Sequence, residues 1–268
     1  MILYRKERSE MMRFSIVAKK DDYSHEVEEK VKERLINEGW QYDKKHPELV
    51  ICVGGDGTLL YAVHQYLHLL DDVMFLGIHT GTLGFFTDYT ADELDICLHD
   101  ILTQQFKIYS SRLLEIQLDQ GKEVKYALNE MRVENIVKSQ HMDIYVDGEF
   151  FETCHGSGIC LSTQAGSTAY NRSLGGAVID SGISLMQLAE ITPIQHSKQR
   201  SLGNPYIMME NRIITMKSDT FDTAYLCYDH LSMALENTSE ILCKMSNKCV
   251  RFARYRDYSY LARLKNLY

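Results

Sequence analysis

Membrane-length apolar runs are missing from these 268 residues, which removes the simplest case for a membrane protein. The opening residues, Met1-Ile2-Leu3-Tyr4-Arg5-Lys6-Glu7-Arg8, lack the apolar centre of a signal peptide. Positive charge is in deficit. Lys and Arg number 29 against 37 Asp and Glu, a net −8, which argues against a general nucleic-acid binder. The seven cysteines are odd in number and form no CxxC pair. Cys52, Cys160 and Cys227 lie in apolar runs and read as small buried hydrophobes, so the expected compartment is a reduced cytoplasm. Neither GxxxxGK[ST] nor GxGxxG occurs, which excludes the P-loop and the standard dinucleotide fingerprint. No linker rich in Pro, Gly and Ser divides the chain, and no repeat or low-complexity segment appears.

What is present is ordinary for a soluble globular protein: 45% apolar and 25% charged residues, enough for one large or two modest domains. The chain is organised around Val50-Ile51-Cys52-Val53-Gly54-Gly55-Asp56-Gly57-Thr58-Leu59-Leu60. An apolar run, a glycine turn and an apolar periodic segment predict a buried strand, a tight turn and a helix start. Such glycines let backbone approach a ligand, and free N–H groups at a helix start favour an anion. Asp56 would repel a phosphate there unless it holds Mg²⁺ or accepts a proton from an attacking hydroxyl. By itself the motif is equally compatible with a structural turn, because Gly and Asp both suit turns.

Residues 13–18, 50–53 and 73–78 read as strands alternating with helices, hence a parallel sheet with ligands at the carboxyl ends of its strands. Ser24 is the expected cap of the first helix, with Val27, Val31 and Leu35 on its apolar face and Gly39 as its stop. Thr90 and Glu93 fit a capping box opening a helix to about Thr103. A second glycine-bearing loop, residues 79–86, follows the third strand.

Near residue 106 the pattern changes to alternation, with Asp147-Gly148 a hairpin signal and strand-like runs at 206–209, 213–217, 224–228, 241–245 and 249–253. The expected architecture is therefore α+β overall. Residues 1–105 form an α/β domain with a parallel, Rossmann-like sheet, completed by residues 251–268. Residues 106–250 form a mostly antiparallel β domain. Residues 156–176 run through glycine, hydroxyl and small residues, with a short helix expected near Ser167 and Tyr170 offering a ring face or a hydroxyl.

Taken together, Gly54-Gly55-Asp56-Gly57-Thr58, the loop 80–85, Asn129-Glu130, residues 166–176, Asp229-His230 and the basic tail 251–256 resemble the NAD kinase family, in family order and across most of the chain. The resemblance implies phosphorylation of the 2′-hydroxyl of the adenosine ribose of NAD, with ATP or polyphosphate as donor and a divalent cation, Mg²⁺, as cofactor. It implies Asp56 as proton acceptor, with Gly55, Gly57 and Thr58 at the donor phosphates. Asn129 and Glu130 would hold the acceptor's ribose and adenine region. Thr168, Ala169, Tyr170, Asn171, Arg172 and Ser173 would line the nucleotide pocket, with Thr192 and His230 in the same binding set. Where the family usually reads Arg-Gly-Asp-Gly, this chain has His155-Gly156-Ser157-Gly158, so an altered acceptor preference is expected at His155 and Ser157. The resemblance also implies a homodimer or tetramer, with neither nucleic-acid nor membrane partners. The basic tail reads as a return strand packing on the first domain. The competing readings are a non-catalytic NAD or NADP sensor and a lipid kinase sharing the glycine loop.

Overall fold

The computed structural model describes residues 2–4, 12–82, 84–194, 201–257, 259–265 and 267. The chain forms two compact units. One runs to Ser111 and resumes at Cys249; the other is Arg112–Lys248.

In the first unit, β1 (Arg13–Ala18), β2 (Leu49–Val53) and β3 (Met74–His79) lie parallel in that order. The two-residue strand Gln41–Tyr42 pairs outside β1, and Phe252 of the strand Glu240–Arg254 pairs with Phe75 of β3. All of β2 is buried, as a strand covered on both faces of a parallel sheet must be. Helices α1 (Asp22–Asn37), α2 (Asp56–Gln65) and α3 (Leu94–Thr103) fill the connections. Val27, Val31 and Leu35 of α1 join Phe14, Ile51 and Leu76 in one core, which the late residues Ala253 and Tyr255 complete. The cap of α1 differs from expectation. Asp21 holds that place, accepting the Ser24 N–H at 2.8 Å, while the Ser24 hydroxyl lies 3.0 Å from Thr80 Oγ1. The capping box at Thr90 and Glu93 forms as read; it opens a 3-10 turn, Ala91–Glu93, that runs into α3. Arg254 pairs with Asp88, Arg263 lies 3.4 Å from the same carboxylate, and Arg256 binds Glu93 at 2.8 Å, so the basic tail packs on this unit.

The second unit is antiparallel. Six strands pair in the order Tyr206–Met209, Leu185–Ile191, Gly158–Thr163, Glu130–Glu134, Tyr225–Tyr228 and Leu231–Ala234. The hairpin Gln140–Val146 to Glu149–Gly156 turns at Asp147 (φ 53) and Gly148 (φ 84), and pairs onward with Ile213–Lys217. Met131, Ile159, Leu188 and Leu226 from the six strands meet Ile144, Ile214 and Ile241 in one apolar cluster. Two details correct the sequence reading. The runs 241–245 and 249–253 are a single strand, Glu240–Arg254, which stays extended through buried Ser246 because the Ser246 carbonyl takes the Arg112 Nε–H at 2.8 Å. Cys227 is half-exposed, whereas Cys52 and Cys160 are buried. Among the described residues no helix is long and apolar enough to cross a membrane.

Candidate active site

At the carboxyl ends of the parallel strands, β1 is followed by Lys19, β2 by the glycine turn, and β3 ends at His79. Gly54 has φ 152, and a Cβ there would lie 2.3 Å from Thr58 Oγ1, so the turn closes too tightly for any side chain. Gly55 caps α2 without a side chain; the Thr58 N–H donates to the Gly55 carbonyl at 3.0 Å, while the N–H groups of residues 56 and 57 stand ahead of any carbonyl the helix could offer them. An anion is stabilised at such an end. Asp56 stands in this turn, and the loop after β3 engages its charge. Oδ2 accepts the Phe85 N–H at 2.9 Å and Oδ1 the Phe86 N–H at 3.0 Å. The carboxylate is thus fixed in place, and each oxygen keeps a further acceptor site for an incoming proton. A Cβ on Gly84 would lie 2.3 Å from Asp56 Oδ1, so the loop approaches this closely only as glycine. Gly84, Phe85 and Phe86 lie in the second glycine-bearing loop, 79–86, and outside the expected site set. Backbone amides leave no side-chain signature; the one usable signal was a glycine in a loop following a strand.

In the second unit Asn129 and Glu130 sit where a turn enters the strand Glu130–Glu134, and both are buried. Asp229, at φ 51 between two strands, accepts the Leu128 and Asn129 N–H groups at 2.8 and 2.7 Å and donates its own N–H to the Glu130 carbonyl. Asn129 Oδ1, Glu130 Oε2 and both polar atoms of the Asn171 side chain are buried without a partner among the described residues. Burial, and then the Asp229 charge, push the Glu130 carboxyl up to about 7, against the opposite pull of Arg132 and the Tyr170 N–H. Buried polar atoms left open are costly in a fold, so a cluster of them marks a place prepared for a polar ligand. The next segment forms a 3-10 turn, Ala165–Thr168, and α4, Tyr170–Ser173, so the short helix begins three residues after the expected Ser167. Arg132, absent from the expected set, lies 4.0 Å from the centroid of the Tyr170 ring and pairs with Glu134 at 2.7 Å. Its guanidinium covers one face of that ring.

The structure thus gathers Asn129, Glu130 and Tyr170, with Thr168, Ala169, Asn171, Arg172 and Ser173 on the same short turn and helix. The Ser173 hydroxyl donates to the Tyr170 carbonyl at 2.6 Å. His155, Ser157 and Thr192 fall elsewhere within the unit. They lie at the Gly158 end of the strand Gly158–Thr163, whereas Tyr170 follows its Thr163 end. At 3.3 Å per residue that strand spans roughly 17 Å. The Thr192 hydroxyl donates to Ser157 Oγ at 2.6 Å, and the His155 ring lies against that of His141, tilted by 36° with centroids 3.7 Å apart. His230 is exposed beside Asp229 in the turn before Leu231–Ala234.

Residues 2–106 match the ATP-NAD kinase N-terminal domain and residues 128–255 the ATP-NAD kinase C-terminal domain. The chain belongs to the NAD kinase family. It is 37% identical to the NAD kinase of Geobacillus stearothermophilus over 257 residues, covering 94% of this chain and 95% of that one. It is 36% identical to NAD kinase 1 of Bacillus anthracis over 259 residues, covering 95% and 98%. Solved NAD kinase folds align along nearly the whole chain. The yeast NADH kinase complexed with NADH gives a TM-score of 0.79 at 19% identity, over 96% of this chain and 87% of that one. The Archaeoglobus fulgidus NAD kinase in complex with ATP gives 0.73 at 22% identity, over 96% and 97%. These two alignments establish the NAD kinase fold.

Proposed function

We propose that the chain transfers the terminal phosphoryl group of ATP to the 2′-hydroxyl of the adenosine ribose of NAD, giving NADP and ADP. The observation that carries this reading is Asp56, a carboxylate fixed by two N–H donors in the first turn of a helix whose start favours phosphate. Membership of the ATP-NAD kinase family supports the same substrates. In the step itself the ribose oxygen bonds to the terminal phosphorus, the bridging oxygen leaves with ADP, and Asp56 takes the hydroxyl proton. Phosphoryl transfer asks a protein chiefly for positioning and charge neutralisation, and the backbone around residues 54–57 offers donors for that. On the acceptor side, Asn129, Glu130 and Asn171 have buried polar atoms, open among the described residues, for ribose hydroxyls and ring nitrogens, and the partly exposed Tyr170 ring suits packing against a flat ring.

A divalent cation, Mg²⁺, belongs to the reading as charge neutralisation for the donor phosphates. Among the described residues no cluster of three or more His, Cys, Asp or Glu could cage such an ion. Mg²⁺ in this reading would be held through substrate phosphates, water and one carboxylate, Asp56. Seven free thiols favour a reducing, cytoplasmic setting. Polyphosphate as an alternative donor and a homo-oligomeric assembly are further parts of the proposal.

The test is a coupled assay of NADP formation from ATP and NAD. Asp56→Asn is expected to lower kcat by about 10²- to 10⁴-fold, the usual range for a general base, while calorimetric NAD affinity stays near native. Native turnover in that variant removes Asp56 from the mechanism. A native protein that binds NAD yet forms no NADP is a sensor, and one that phosphorylates lipid instead is a lipid kinase.

A further inference from the structure

We propose that His79 binds the donor phosphates through Nε2–H, its tautomer set by the Gly81 N–H. The inference rests on the phosphate-donor reading of the glycine turn and adds a side chain to it. His79 is the last residue of β3, beside the turn that follows β2. The Gly81 N–H donates to His79 Nδ1 at 2.6 Å. A ring nitrogen that accepts a backbone N–H carries no proton, so the ring proton resides on Nε2. Nε2 lies 3.3 Å from where a Cβ of Gly55 would stand, against the residue that caps α2. On its other side, the ring's Cε1 lies 3.2 Å from where a Cβ of Gly81 would stand. The imidazole is therefore slotted between two glycines, and its one N–H donor sits beside the helix start.

Burial and two charged groups act on this ring. Burial lowers its pKa from the usual histidine value, Asp56 of α2 raises it, and Lys19 after β1 lowers it. The net lowering keeps the imidazole neutral at pH 7, so Nδ1 remains an acceptor for Gly81. Protonation at acid pH would set an N–H at Nδ1 against the Gly81 N–H and disrupt the arrangement. Donor binding should therefore weaken on the acid side while acceptor binding does not follow it.

The experiment compares the full-length native protein with His79→Phe, which keeps an aromatic ring and removes both nitrogens, and His79→Gln, which keeps a donor and an acceptor. KM for ATP and for NAD, pH profiles and Tm are measured, together with calorimetric binding of inorganic tripolyphosphate. His79→Phe is expected to raise KM for ATP and the Kd for tripolyphosphate about tenfold, the loss of a hydrogen bond to a charged group. KM for NAD should stay within twofold, the acid limb of kcat/KM for ATP should flatten, and His79→Gln should recover part of the loss. Changes below twofold in both donor measurements overturn the proposal. So does a parallel rise in both KM values tracked by a fall in Tm, which is the signature of a merely structural ring. A native protein that makes no NADP but binds tripolyphosphate in a His79-dependent way refutes the proposed function and leaves this inference standing.

Discussion

Glu130 holds a carboxyl group at 6% exposure, with one oxygen unpartnered among the described residues and a pKa raised to about 7 by burial and Asp229. Glu152, half-buried on the strand Glu149–Gly156, is likewise raised to about 7 by burial and then Glu190. In the fold such a carboxyl keeps its proton after the open chain, with a value near 4.5, has lost it. Each group therefore subtracts stability progressively as pH rises from about 4.5 to about 7, and the full cost persists above that. Glu130→Gln and Glu152→Gln are each expected to raise Tm at pH 8 and to leave it near native at pH 4, as thermal unfolding at both pH values would read. Glu130→Gln alone should also lose NADP formation, because Glu152 lies outside the proposed acceptor pocket. An equal Tm change at both pH values would refute the electrostatic account. At this scale the sequence shows residues whose chemistry is spelled in adjacent letters, such as Asp56 among glycines or Asn129 beside Glu130. It hides Arg132 and the roles of Asp229 and His79, which depend on what the fold sets opposite them.

Asp56 belongs to α2, yet its orientation is set by the loop after β3, so two neighbouring connections act as one device. A methyl at residue 84 would fall 2.3 Å from Asp56 Oδ1, closer than carbon and oxygen tolerate, and either the loop or the carboxylate must give way. Gly84→Ala is expected to lower kcat by about 10²-fold, the order of loss that a displacement near 1 Å brings. KM for NAD and Tm should remain close to native in steady-state assays and thermal melts; native kcat would show that Asp56 tolerates the shift. Most elements were legible from periodicity, since β2 is a bare apolar run and the α1 stripe recurs at helical spacing. The misreadings have local causes. Both Asp21 and Ser24 are good capping residues, and which one caps depends on the angle at which the chain leaves β1. The polar step 246–248 resembles a turn until Arg112, far away in sequence, supplies a partner for its backbone.

The two units each have their own apolar core, and the first is assembled from both early and late parts of the chain. Arg254 reaches back to Asp88, which is 1% exposed and has one oxygen without a partner among the described residues, with Arg263 as the second cation at 3.4 Å. Breaking a buried ion pair from one side leaves an uncompensated charge and costs about 3–5 kcal/mol. Arg254→Met is expected to destabilise the first unit by that order, and Asp88→Asn in the same chain to restore part of it. The one tryptophan, Trp40, is 9% exposed in the first unit's core, so its fluorescence during urea unfolding reports on that unit. An unchanged midpoint would mean that Arg263 alone satisfies Asp88. The late return of the chain was legible as a basic strand-like tail, but its buried acidic partner, lying in an otherwise featureless loop, was not.

That late return also sets an order of events during synthesis. The segment bearing Asp56 leaves the ribosome long before residues 249–263, which supply Phe252 opposite Phe75, the Phe252 ring stacked 5.6 Å from Phe86, and the cations over Asp88. At about 5–20 residues per second, translation keeps the nascent phosphate loop waiting on the order of ten seconds or more for those partners. The intervening β unit ends on the same strand, Glu240–Arg254, whose first residues pair with Ile213–Lys217, so both units are completed by one late segment, and a prematurely released chain would carry the motif without the means to hold it.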